Sequence, residues 1–145
     1  MAITRTRINI SGIEQLNKKA KQLKADIFSV LGEAALAGAD IIRDDAKERA
    51  RKKSGEMADG IVSVVTWDKK GPIAWAGAGM DKNKNALFVK ISANGKRYYY
   101  PSSIEYGHPG APAYPFMRPA MDGKKAAVRK AIRDRVKRVI EGVRT

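Results

Sequence analysis

Apolar and polar positions change their period several times along the chain, and each change marks a candidate element. Residues 3–10 alternate roughly, with Ile8 and Ile10 on one side and Arg5, Arg7 and Asn9 elsewhere, as in a short strand. Ser11 opens Ser-Gly-Ile-Glu, a capping box in which the Ser11 hydroxyl accepts from an orphan amide and Glu14 reaches back. A helix is expected to follow, with Ile13, Leu16, Ala20 and Leu23 on one face; Asp26 either caps a second helix or marks a bend. From Ile27 to about Arg51 the residues Ile27, Val30, Leu31, Ala34, Gly38, Ile41 and Ile42 recur at helical spacing. Ala34, Ala35, Ala37, Gly38 and Ala39 make the middle of this helix small-sided, so another element, from this chain or a neighbour, can approach closely.

The period then drops to that of strands. Ile61–Trp67 is β-branched, Lys70-Gly71-Pro72 signals a turn, and Ile73–Met80 makes a second strand lightened by Gly77 and Gly79. Asp81–Asn85 is a polar turn, Leu87–Ser92 a third strand, and Asn94-Gly95 turns the chain into Lys96–Tyr100, a strand or strand edge. An antiparallel meander of three to four strands is the simplest arrangement. A last helix should start at Asp122 or Gly123 and run to about Val143, with Val128, Ile132, Val136, Val139, Ile140 and Val143 as its apolar stripe and basic residues opposite. The fold class is therefore α+β: N-terminal helices, a three- to four-stranded antiparallel sheet and a C-terminal amphipathic helix, in a single domain spanning residues 1–145.

Between sheet and last helix, Tyr98–Ala120 breaks every period. It holds five of the six prolines (Pro101, Pro109, Pro112, Pro115, Pro119), all five tyrosines and the one histidine. Prolines fix φ, remove donors and push the preceding residue toward extended geometry, so no regular helix or central strand is expected through residues 108–119. Its Tyr, Phe and Met content separates it from a disordered linker. A rigid aromatic loop is the expectation.

Composition narrows what such a chain can do. No apolar run approaches the roughly 20 residues of a membrane span, and the first ten residues carry no apolar core of a secretory signal. The absence of cysteine excludes disulfides, thiolate nucleophiles and Cys-ligated metal, and fits synthesis and assembly in a cytoplasm. With one histidine, a Cys-His pair and a His-rich metal site are ruled out. A Ser-His-Asp triad would need His108, which sits between Gly107 and Pro109, and no G-x-S-x-G elbow exists. Gly77-Ala78-Gly79 is not followed by the Lys-Ser/Thr of a phosphate cradle. Asp44 and Asp45 diverge by about 100° on a helix and read as a solvated face. No catalytic, cofactor or metal residues are assigned, and no enzyme is expected.

The net charge is +14, and residues 124–145 carry nine Lys and Arg against two acids. Lys124, Lys125, Arg129, Lys130, Arg133, Lys137 and Arg138 are therefore candidate contacts for DNA or for an acidic partner. A small basic protein binding nucleic acid without sequence preference is the alternative reading, since no recognised DNA- or RNA-binding motif accompanies these residues. Membrane association is not expected, because the apolar stripe has no Trp or Phe to enter an interface. A docking module fits the loop best: Tyr106, Tyr114, Phe116 and Met117 are residue types enriched at interface cores, and prolines lower the ordering cost.

Ser102-Ser103-Ile104-Glu105-Tyr106-Gly107, followed by Ala111-Pro112-Ala113-Tyr114-Pro115-Phe116-Met117-Arg118-Pro119-Ala120, resembles the head–tail joining or tail-completion neck proteins of long-tailed bacteriophages. Ala46–Ile61 (AKERARKKSGEMADGI) is similar to a second family passage, with Arg51-Lys52-Lys53-Ser54-Gly55 where Pro-x-x-Thr-Gly is usual and Met57 in place of Leu. The resemblance implies a non-catalytic virion protein, an α+β subunit of a symmetric ring in the phage neck, assembled in the host cytoplasm. A hexamer is favoured and a dodecamer is the other option. The implied partners are further copies of itself, the head-closure or connector protein, and tail-terminator or tail-tube proteins. Glu105, Tyr106, Gly107, Pro112, Tyr114, Phe116, Met117, Arg118 and Pro119 would then form the contact between subunits or rings. Ring closure needs two unlike faces, for which the small-sided helix at Ala34–Ala39 and this loop are candidates.

Overall fold

The computed structural model describes residues 4–7, 14, 15, 18, 21, 27–50, 55–67 and 74–141. Its longest helix, α1 (Ile27–Arg49), is the spine. Ala35 and Ala39 pack against Ala76 and Val65 of a sheet. Gly38 lies on another side under Val128 and Ile132 of the last helix; a Cβ there would stand 2.9 and 3.0 Å from their methyl carbons. The small residues of α1 thus serve close approach within the chain, on two sides. Of the candidate face Ala34–Ala39, Ala34, Ala35 and Ala39 are at most 2% exposed and are used inside the chain, whereas Leu36 is 46% exposed.

Among the described residues the sheet has three antiparallel strands, with the last in sequence at its centre. β2 (Ile61–Trp67) and β3 (Ala74–Met80) form a hairpin with Ile61 opposite Met80 and Trp67 opposite Ala74. β1 (Thr4–Arg7) flanks the other edge of β3, pairing Thr4 with Ala78 and Arg7 with Trp75. The central strand is the lightest, with Ala76, Gly77, Ala78 and Gly79 all buried, so helix and sheet backbones come close where both carry small side chains. The Ser11 capping box and the Lys70-Gly71-Pro72 turn lie outside the described residues, whereas Glu14, Gln15, Lys18 and Lys21 are helical and exposed.

The expected meander is divided. After β3, Asp81 accepts from the Asn83 amide at 2.9 Å and starts a 3-10 turn, Lys82–Lys84, which leads into a one-turn helix α3 (Asn85–Phe88), α2 being Glu56–Asp59. Leu87 and Phe88 are therefore helical rather than extended. The next strands, β4 (Val89–Ile91) and β5 (Arg97–Tyr99), pair only with each other among the described residues. Phe88 supplies the physical reason: fully buried, it inserts between Gly60 and Met80 and meets the rings of Tyr99 and Tyr100 edge-on at 6.1 and 5.7 Å. Pulling that ring into the core turns the chain away from the first sheet.

Three helices complete the chain: α4 (Tyr100–Tyr106), α5 (Met117–Gly123) and α6 (Lys125–Ile140). The prolines did not exclude helix, because Pro101 and Pro119 sit in first turns, where no intrahelical amide bond is lost. Phe116, Met117, Ala120, Met121, Val128 and Ile132 join Ile42, Ala46, Met57 and Ile61 in one core. Asp45 departs from the expected solvated pair: it is buried and ion-paired with Arg49 at 2.5 Å and Lys124 at 3.7 Å, while Asp44 is exposed beside Arg43.

Phe88→Ala should lower stability by about 3–5 kcal/mol, as large-to-small changes at buried aromatics do. Ile91→Ala, three residues on in β4, should change it by less than about 0.5 kcal/mol, because Ile91 is 72% exposed. Urea unfolding of both variants checks this, and equal losses would contradict the placement of Phe88.

Candidate functional site

Helix α5 begins without a cap of its own. Its N-cap residue is Phe116, which has no side-chain oxygen, and the first amides of any helix need acceptors from outside. Glu105, the next-to-last residue of α4, supplies them. Its Oε2 accepts from the amides of Phe116 at 2.7 Å and Met117 at 2.9 Å, and its Oε1 from the Arg118 amide at 3.0 Å. Arg118 then reaches back: Nε donates to Oε1 at 3.0 Å and Nη2 to the Glu105 carbonyl oxygen at 2.8 Å. One carboxylate thus fastens the end of α4 to the start of α5 and uses the positive end of the helix as part of its counter-charge.

Burial pushes the Glu105 carboxyl upward, but the amides of Arg118, Met117 and Phe116 and the Arg118 guanidinium outweigh it and hold the group below its ordinary value. The loop between is closed by further backbone bonds. Tyr114 donates to Ile104 at 2.7 Å, while His108 and Ala111 exchange bonds of 3.1 and 2.9 Å around Pro109-Gly110. Gly107 turns the chain out of α4 at φ 73° and ψ 174°, a region open essentially to glycine. A Cβ there would stand 2.8 Å from the Ala113 nitrogen. His108 lies exposed on the turn, its Nδ1 2.9 Å from the Pro109 carbonyl oxygen.

The nine loop residues singled out from sequence are brought together, but in two environments. Glu105, Phe116 and Met117 are buried in the chain's own core, at 5%, 2% and 6% exposure. Gly107 and Pro119 are half-buried. Tyr106, Pro112, Tyr114 and Arg118 face outward, and the Arg118 guanidinium stacks over the Tyr106 ring at 4.8 Å. Arg118 as the link between the buried carboxylate and an exposed ring was missed from sequence. A signal was present: Glu105 is the only acid between Asp81 and Asp122, and Phe116 cannot cap the helix that follows it.

The candidate cations fall on α5 and α6. Lys125, Arg129, Lys130, Arg133, Lys137 and Arg138 are exposed, and Lys124 is half-buried beside Asp45. Lys125, Lys130 and Lys137 pair with Asp122, Asp134 and Glu141 at 3.2, 2.7 and 3.7 Å. Arg135 turns inward to Glu33 of α1 at 2.6 Å, across an open groove of about 460 Å³ whose apolar wall includes Leu36, Ala37 and Ala131. Among the described residues, no helix is long and apolar enough to cross a membrane, and no group of His, Cys, Asp and Glu is arranged to hold a metal.

The described residues form an α+β fold in which the loop pinned at Glu105 turns Tyr106 and Tyr114 outward. Residues 14–108 match the family described as "Bacteriophage HK97-gp10, putative tail-component", and the chain belongs to this HK97-gp10-like family of phage tail components. The matched span takes in α1, strands β2 to β5 and Glu105-Tyr106-Gly107; β1 and the amides that Glu105 holds lie outside it. No curated protein and no solved structure matches the chain.

Replacing Glu105 by Gln leaves an acceptor but faces an NH2 group toward amide donors, so a loss of about 1–3 kcal/mol is expected. The pH signature follows from the sign of the shift. A carboxyl held low in the folded protein contributes stability that is complete above its unfolded value, near 4.3, and lost as pH falls through the lower folded value. Thermal melts of the wild type between pH 6 and 2.5 should fall in that acid range, and Glu105→Gln should fall less steeply. Gly107→Ala should cost more than about 1 kcal/mol from φ alone; an unchanged melting temperature would contradict the loop geometry.

Proposed function

We propose that the protein is a structural, non-catalytic component of the virion that assembles as a ring at the head–tail junction and connects the capsid connector to the tail. The observation that carries this reading is the pinned loop: Glu105, Phe116 and Met117 are spent on the fold, which leaves Tyr106, Pro112 and Tyr114 projecting from a backbone fixed at both ends. Membership of a phage tail-component family supports the setting. Fixed aromatics and prolines bind at low ordering cost, and Tyr is over-represented among residues that dominate interface energy. A hexamer is the favoured ring, with the head-closure or connector protein on one side and a tail-terminator or tail-tube protein on the other.

Phe116 is no test of this contact, because a charge placed at a core residue unfolds the chain before it reports on assembly. The exposed pair is the test. Tyr106→Ser combined with Tyr114→Ser should keep the melting temperature within a few degrees and lower the oligomer mass measured by light scattering to that of the monomer. Negative-stain class averages of the wild type, alone and with tail tubes, should display closed rings. A wild type that stays monomeric in both settings, or a double variant that assembles normally, would overturn the reading.

A further inference from the structure

Helix α6 carries a surface that the docking loop does not explain. Over Lys125–Ile140 it holds seven Lys and Arg against one acid, Asp134. Val128 and Ile132 are buried against α1, and Arg135 is spent on Glu33. Among the described residues of α6, Lys125, Ala126, Ala127, Arg129, Lys130, Arg133, Lys137 and Arg138 are exposed. All eight are cations or alanines, and Asp134 beside Lys130 adds one partly exposed acid. Arg129, Arg133 and Lys137 follow one another at four-residue intervals, so they form a stripe whose members rise by about 6 Å each.

We infer that this face of α6 binds the phosphate backbone of duplex DNA without reading its sequence. Three features choose that partner over others. Protein interface cores favour aromatics, Met and Arg and are depleted in Lys and Ala, whereas this face has Lys and Ala beside its Arg and no aromatic or Met, with the alanines short enough for a backbone to come close. Single-strand binding uses aromatic platforms, and the exposed face of α6 has none. Base-edge recognition of adenine uses Asn or Gln, which α6 lacks. The pairs with Asp122, Asp134 and Glu141 are solvent-exposed and worth little, so phosphates can compete for Lys125, Lys130 and Lys137. The inference rests on the surface of α6 alone and not on ring formation.

Fluorescence anisotropy with a labelled 30-base-pair duplex of random sequence tests it. With about three phosphates neutralised, affinity should fall roughly 40-fold between 50 and 200 mM salt, a slope near −2.7 in log–log form. Arg129→Gln with Arg133→Gln should weaken binding at least tenfold and flatten the slope by about two units. Lys96→Gln with Arg97→Gln, exposed on the β4–β5 hairpin, should leave both within twofold. No binding at 50 mM salt, equal loss in the hairpin variant, or competition by polyglutamate as strong as by unlabelled duplex would each overturn the assignment. Light scattering on the same samples reads assembly separately, so a failure of DNA binding and a failure of ring formation are seen independently.

Discussion

A carboxylate taken out of water without compensation costs several kcal/mol, and three helix amides left without acceptors cost more. Glu105 makes these two liabilities cancel. Its two oxygens take the amides of Phe116, Met117 and Arg118, and the Arg118 guanidinium completes the charge balance. Neither half would be tolerable alone: α5 has no cap of its own, and Glu105 is 5% exposed. Because the amides are held, the side chains of Phe116 and Met117 have a fixed direction, and that direction is the core. The rest of the C-terminal third hangs on this joint, since α5 leads directly through Lys124 into α6.

The second constraint is distance across α1. Helix and sheet can approach only where neither carries bulk, and Ala35 and Ala39 meet Ala76 there. Gly38 does the same for Val128 and Ile132 of α6. Ala34, Ala35, Gly38 and Ala39 are thus used within the chain, while Leu36 and Ala37 line the open groove beside α6. Its remaining polar edge is taken up by Asp40, Arg43 and Ser63, with Arg43 2.7 Å from Asp40 and Ser63 donating to Asp40 at 2.5 Å. The closely packed interior leaves the loop's Tyr106 and Tyr114 and the outward side of α6 exposed.

Residue pattern carried the helices and strands that follow their local preference. The residues from Ile27 onward and Val128–Ile132 repeat at helical spacing, and Ile61–Trp67 is marked by its β-branched side chains, so each is legible without knowledge of its partner. What escaped depends on partners distant in sequence. Phe88 sits in a segment that alternates well enough for a strand, yet its burial beside Gly60 makes a helical turn there. Pro119 looks like a helix breaker until its position in the first turn of α5 is known. In the loop, aromatic content and proline density were legible as an ordered segment rather than a linker. The split between Phe116 and Met117 inside and Tyr106 and Tyr114 outside was not, because it is decided by a hydrogen bond eleven residues long.

That split explains how a buried charge can act at the surface. Arg118 touches Glu105 with Nε and Nη2 while its guanidinium lies over the exposed Tyr106 ring. The position of Tyr106 is thus set from beneath by the same ion pair that caps α5. Tyr114 is held through its amide by Ile104, on the same helix as Glu105. Both outward rings are therefore referenced to α4 rather than to a free loop, so the backbone that carries them loses its freedom on folding. Their placement holds as long as Glu105 stays ionised and α4 stays in place.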